Sequence, residues 1–218
     1  MTPVPGLPTT PTALPTADRV RAHVTEPVAN HSFRSYLFAM LLTEHEGVRP
    51  GTDFDPELLF HACALRDPGT SATAEGVQRF EVEGADMAAV LLTGHGVGHS
   101  SPGIAERRGP LAYLARRGVT ADFGRATGFV TGAQGQEIPT RGPRLRMAAS
   151  LVEEIVRHAE RGGLQTAPRY SLPGELLRER GSDRRPTELE PAAAAARWGG
   201  QSVSSKVHGR LVGAPTRP

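Results

Sequence analysis

The chain has 218 residues, enough for one domain with a real core, and its formal charge of +2 is near neutral for that length. Only 38% of its residues are hydrophobic, while 25 Gly and 19 Pro are many, with the excess gathered at the two ends. Three classes are disfavoured: Lys206 is the sole lysine and no basic stripe with interleaved aromatics marks a nucleic-acid binder, one cysteine (Cys63) forms no disulfide framework, and the longest apolar run, Tyr36 to Leu42, is far too short for a membrane span. With no charged-then-apolar leader visible, a soluble cytoplasmic protein is the expectation.

Residues 1–17 repeat Pro and Thr with little to bury and are expected to be disordered, and a first helix is expected near Asp18. Val28, Phe33, Tyr36, Leu37, Met40 and Leu41 recur at helical spacing and predict a long helix over 28–46. After a turn at 47–53, Asp55 offers an N-cap, Pro56 suits the first helical position, and an apolar helix follows up to Asp67, where Pro68-Gly69 break it. A polar loop over 68–78 leads to a helix over 80–92. Three glycines in 94–98 interrupt it, and a short helix over 109–117 follows. Leu145, Ala148, Leu151, Val152, Ile155, Val156 and Ala159 form the clearest amphipathic stripe, over 145–161, and 172–180 closes the domain. Residues 181–218 read as a low-complexity tail. No alternating pattern persists, so the expected fold is an all-α bundle over 18–180 with disordered ends.

The carboxylate of Asp67 sits at the C-terminal end of an apolar helix, where the helix dipole disfavours it. Either it points into water, or a positive partner such as an arginine or a metal ion faces it. There is no Gly-rich phosphate loop and no Gly-x-Ser-x-Gly elbow, so nucleotide-binding and acyl-transfer chemistry are not indicated.

The blocks Asn30-His31-Ser32-Phe33-Arg34-Ser35-Tyr36, Arg66-Asp67-Pro68-Gly69-Thr70-Ser71, Arg79-Phe80-Glu81-Val82-Glu83-Gly84, His99-Ser100-Ser101-Pro102-Gly103 and Gly118-Val119-Thr120-Ala121-Asp122-Phe123-Gly124 follow one another in fixed order. In that order the chain resembles the HD-domain superfamily of metal-dependent phosphohydrolases, and within it the branch related to cyanamide hydratase. The resemblance implies a compact helical bundle and a divalent ion (Zn, Fe or Mn) held by His31, Asp67 and Asp122. It implies Asp67 and His99 in catalysis, beside Arg66, with Ser71 and His95 toward a small-molecule substrate, and water adding to a nitrile-like carbon. It also implies a further helix between His95 and His99, where only Gly96-Val97-Gly98 stand. Arg34, three residues after His31 and on the same helix face, is expected to contact an anion or substrate or to pair with a carboxylate such as Glu83.

Arg66 stands where the family carries the histidine of its His-Asp pair. A guanidinium has no lone pair for a metal and stays charged at neutral pH. At roughly 4 Å and an effective dielectric of about 20, it opposes each unit of positive charge by about 4 kcal/mol. Two readings follow: a metal-dependent hydrolase or hydratase on three ligands, or a degenerate, non-catalytic scaffold that binds a small anion or a protein. In the second, Arg66 pairs with Asp67 or Asp122. Adjacent helical side chains diverge by about 100°, so Arg66 is expected close to Asp122 or in the vacated metal position, and truncating it is then expected to cost about 3–5 kcal/mol if the pair is fully buried.

Overall fold

A computed structural model describes residues 3–94, 109–168, 171–181 and 189–196, and among these the regular structure is helical, as the periodicity predicts. The helices are α1 (Ala13–His23), α2 (Glu26–Glu46), α3 (Pro56–Ala64), α4 (Phe80–Gly94), α5 (Pro110–Asp122), α6 (Gly132–Arg141), α7 (Met147–Gly162), α8 (Leu172–Arg180) and α9 (Leu189–Ala194). A 3₁₀ turn spans Pro68–Thr70. No helix among the described residues is long and apolar enough to cross a membrane.

The bundle is built around α2. Its buried positions include Val28, Ala29, every residue from His31 to Ala39, and Leu41 to Thr43, so it is enclosed on nearly all sides rather than on one stripe. It ends at Gly47, whose φ of 69° is the left-handed conformation that glycine adopts at least cost. α5 packs along α2 more extensively than any other pair of elements. Gly118 permits this approach: a Cβ there would lie 2.1 Å from the Ser35 carbonyl oxygen. Gly69 and Gly84 bring the 3₁₀ turn and α4 together in the same way, with a Cβ on Gly84 meeting the Arg66 carbonyl at 2.6 Å.

Asp55 caps α3 as the sequence predicts, its carboxylate accepting from the amides of Glu57 at 2.8 Å and Leu58 at 3.2 Å. α3 stops at Ala64, however, three residues before Asp67. The Pro/Thr-rich start also departs from expectation. α1 begins at Ala13, Val4 is buried in the core, and the hydroxyls of Thr10 and Thr12 both donate to Glu57. Small groups suffice here because α1 and α3 pack together and bury Ala13, Ala17 and Val20. α6 has no counterpart in the apolar periodicity. It is started by a capping box in which Thr131 accepts from the Gln134 amide and the Gln134 side chain accepts from the Thr131 amide. In the expected tail, α9 packs on α7 and buries Ala193.

Candidate functional site

His31 and Arg34 lie three residues apart on α2 and so share a face, which meets the end of α5. There Asp122, fully buried in the last helical position, receives four donors. Its Oδ1 accepts from Arg34 Nε at 2.9 Å and Arg144 Nη1 at 3.0 Å. Its Oδ2 accepts from Arg34 Nη2 at 2.9 Å and His31 Nδ1 at 2.6 Å. A carboxylate offers about four lone-pair sites, so Asp122 is saturated. The negative end of a helix is a poor place for a buried carboxylate, and the two guanidiniums answer that cost. Burial alone would raise the Asp122 carboxyl, but Arg34 and the His31 hydrogen bond together hold it far below the usual carboxylate range.

Arg34 completes its own hydrogen bonding through Nη1, which donates to the carbonyls of Gly142 at 2.7 Å and Pro143 at 3.1 Å. At 1% exposure it is a structural cation. Of the two expectations for Arg34, a substrate contact or a carboxylate partner, the structure gives the carboxylate partner, with Asp122 in place of Glu83. Glu83 instead accepts from the backbone amides of Gly76, Val77 and Gln78. Arg144 had no sequence signal beyond its place in an arginine-rich run after Gly142-Pro143. It precedes two non-glycine residues with positive φ, Leu145 at 45° and Arg146 at 60°. Strained backbone of this kind persists where the surroundings over-determine it, and here the chain turns so that Arg144 Nη2 also reaches the Asp122 carbonyl at 2.7 Å.

Asp67 comes to the same face. It is 1% exposed, with His31 Nε2 at 3.9 Å from Oδ2, Ser32 Oγ donating to Oδ2 at 3.3 Å and Arg66 Nη1 at 3.4 Å from Oδ1. Arg66 thus pairs with its neighbour Asp67, and the expected Arg66–Asp122 pair is corrected. Its physical basis, divergence of adjacent side chains on a helix, does not apply because both residues lie past the end of α3. Asp122 already has its cations. The Arg66 side chain is 33% exposed, so it is far from a fully buried partner.

Behind Asp67, Glu154 of α7 is buried and ties two elements of the site together. It accepts from Thr25 Oγ1 at 2.5 Å, just before α2, and from Thr70 Oγ1 at 2.9 Å, just after Asp67. Its signal in the sequence is a Glu and a His four apart beside an apolar stripe, Glu154 and His158, and both are buried. Ser71 is buried, with its hydroxyl bonded to Thr73 Oγ1 at 3.0 Å and its carbonyl held by Arg161, so its expected substrate contact is corrected to a role in the loop. Cys63 is a core residue, its thiol pushed up to about 12 by burial. His95 and His99 lie outside the described residues.

The three ligands expected for a divalent ion do converge, but the donor set does not fit one. Asp122 has no lone-pair site left, His31 spends Nδ1 on it, and only His31 Nε2 and Asp67 remain, beside the Arg66 cation. Catalytic metal sites typically present three protein ligands. Among the described residues no group of three His, Cys, Asp or Glu side chains is arranged to hold a metal ion. No family model matches the sequence, and no curated protein matches it.

Proposed function

We propose that this chain is an HD-like helical scaffold in which arginines occupy the role of the metal ion, and that it binds a small polar molecule at the corner made by His31, Asp67 and Arg66. One observation carries this reading: all four lone-pair sites of Asp122 are filled by Arg34, Arg144 and His31. Three guanidiniums face two carboxylates, so these five groups already carry net positive charge and repel a cation. The resemblance to HD proteins supports the scaffold, and the Arg66-Asp67 pair supports its departure from their chemistry.

A second reading, a metal-dependent hydrolase or hydratase acting on a small molecule, is favoured by the convergence of His31, Asp67 and Asp122 in the order the resemblance implies. Elemental analysis of protein purified without chelator separates the two. The arginine reading expects less than about a tenth of an equivalent of Zn, Fe or Mn, before and after reloading, because two donors beside a fixed cation hold a divalent ion weakly. Near-stoichiometric metal establishes the second reading instead.

A further inference from the structure

We propose that α9 is a detachable clip that closes the seam between α5 and α7, and that its release loosens and exposes the turn carrying Asp122. The clip acts on either reading of the buried cluster, whether guanidiniums or a metal ion neutralise Asp122.

Among the described residues α5 and α7 have little direct contact, and each packs on α2 instead. What lies across the seam is α9, which packs on α7 and reaches the turn that follows α5. Gly124 stands in that turn, two residues past Asp122, with a φ of 80°. A Cβ on it would lie 2.2 Å from the Ala196 Cβ, so the chain just past α9 is seated directly on the turn. Phe123, between Asp122 and Gly124, meets the His31 ring edge-on with centroids 5.1 Å apart. Contact therefore runs from Ala196 through Gly124 and Phe123 to His31. On the other side of the seam Arg144, just before α7, holds the Asp122 carbonyl at 2.7 Å.

Little holds α9 in place. It spans six residues, Leu189–Ala194, and a helix that short has too few internal hydrogen bonds to stand alone. Ala193 is the one buried residue from 190 to 196, and its methyl group is a small apolar surface. Pro191, Ala192, Ala194 and Ala195 are exposed. Arg180 at the end of α8 adds a charged hold, with Glu153 of α7 at 3.5 Å and Glu190 of α9 at 3.6 Å. Segments with so few apolar contacts open locally, well below the cost of global unfolding. The turn beneath is closed by the amides of Phe123 to Val119 at 3.3 Å, Gly124 to Ala121 at 2.8 Å and Arg125 to Thr120 at 3.1 Å. Those three amides report whether the turn loosens when α9 leaves.

Hydrogen exchange followed by mass spectrometry on the full-length chain reads both segments together. Ala193→Asp sets a charge in the contact between α9 and α7. Arg180→Gln removes the cation shared by Glu153 and Glu190 at a side chain 13% exposed. In the wild type, residues 189–196 are expected to exchange about tenfold or more faster than α2. In Ala193→Asp they lose their protection, and residues 121–126 exchange about tenfold or more faster than in wild type, with α2 and α3 unchanged. Arg180→Gln shifts both segments the same way by less, and decides the matter should Ala193→Asp fail to fold. Loss of protection at 189–196 with no response at 121–126 overturns the proposal, because α9 is then a passive appendage. Wild-type exchange at 189–196 as slow as in α2, or a uniform rise along the chain in Arg180→Gln, overturns it as well, because α9 then belongs to the cooperative core.

Discussion

Replacing Arg34 by methionine keeps the apolar stem and removes the cation at the centre of the bundle. The change deletes two hydrogen bonds to Asp122 and two to the Gly142 and Pro143 carbonyls, all at a side chain 1% exposed. Asp122 keeps Arg144 and His31, yet loses the partner that engages both its oxygens. Breaking a buried ion pair from one side costs about 3–5 kcal/mol, a large share of the roughly 5–15 kcal/mol that holds a domain folded. For a chain of this size that corresponds to a melting temperature lower by roughly 6–20 °C. Arg66→Met is the control: it removes one 3.4 Å contact at a side chain 33% exposed, which is worth about 1 kcal/mol or less. Urea unfolding followed by circular dichroism measures both, with the m-value checking that the denatured state is unchanged. Equal losses in the two variants, or an Arg34→Met protein within about 0.5 kcal/mol of wild type, would refute the assignment of Arg34 as the buried counter-ion of Asp122.

The other predictions follow from the same packing. Asp122 and Glu83 both have folded carboxyls held below their ordinary values, Glu83 because three backbone amides together outweigh the raising effect of burial. Their stabilisation is therefore present above the unfolded values of about 4 and is lost as pH falls through the folded ones, so the urea midpoint should decline steadily on acidification below roughly pH 4.5; an unchanged midpoint down to pH 3 contradicts this. Gly118→Ala sets a Cβ 2.1 Å from the Ser35 carbonyl and forces α5 off α2, a loss of about 1–3 kcal/mol or more in the same assay. Cys63, with its thiol raised to about 12, should resist a disulfide reagent in the folded protein and react in urea; rapid native labelling would show that α3 opens readily.

Much of the framework was readable from the residues. The Leu172–Arg180 helix, the Asp55 cap and the extent of α2 follow from apolar spacing and capping chemistry alone. What escaped was driven by tertiary contact. α6 holds Gly132, Gly135 and Pro139 and has no apolar stripe, though Thr131 and Gln134 spell its capping box. α9 is six residues of alanine-rich helix held by α7 and by Arg180, whose Nη2 lies 3.6 Å from Glu190. At the site, His31, Asp67 and Asp122 were identifiable as a set because the resemblance orders them. Who neutralises whom was not, since that depends on where α3 stops and on a strained turn at 145–146 that aims Arg144 inward. The result moves the guanidinium facing Asp122 from Arg66 to Arg34 and Arg144.

The central claim is that guanidinium groups, and not a metal ion, satisfy Asp122. Anomalous diffraction from crystals of the wild-type chain grown with manganese tests it most directly. The account predicts no anomalous peak within coordination distance of Asp122, His31 or Asp67, and Arg34 still bonded to both Asp122 oxygens. A peak ligated by Asp122, with Arg34 or Arg144 displaced from it, would contradict the account.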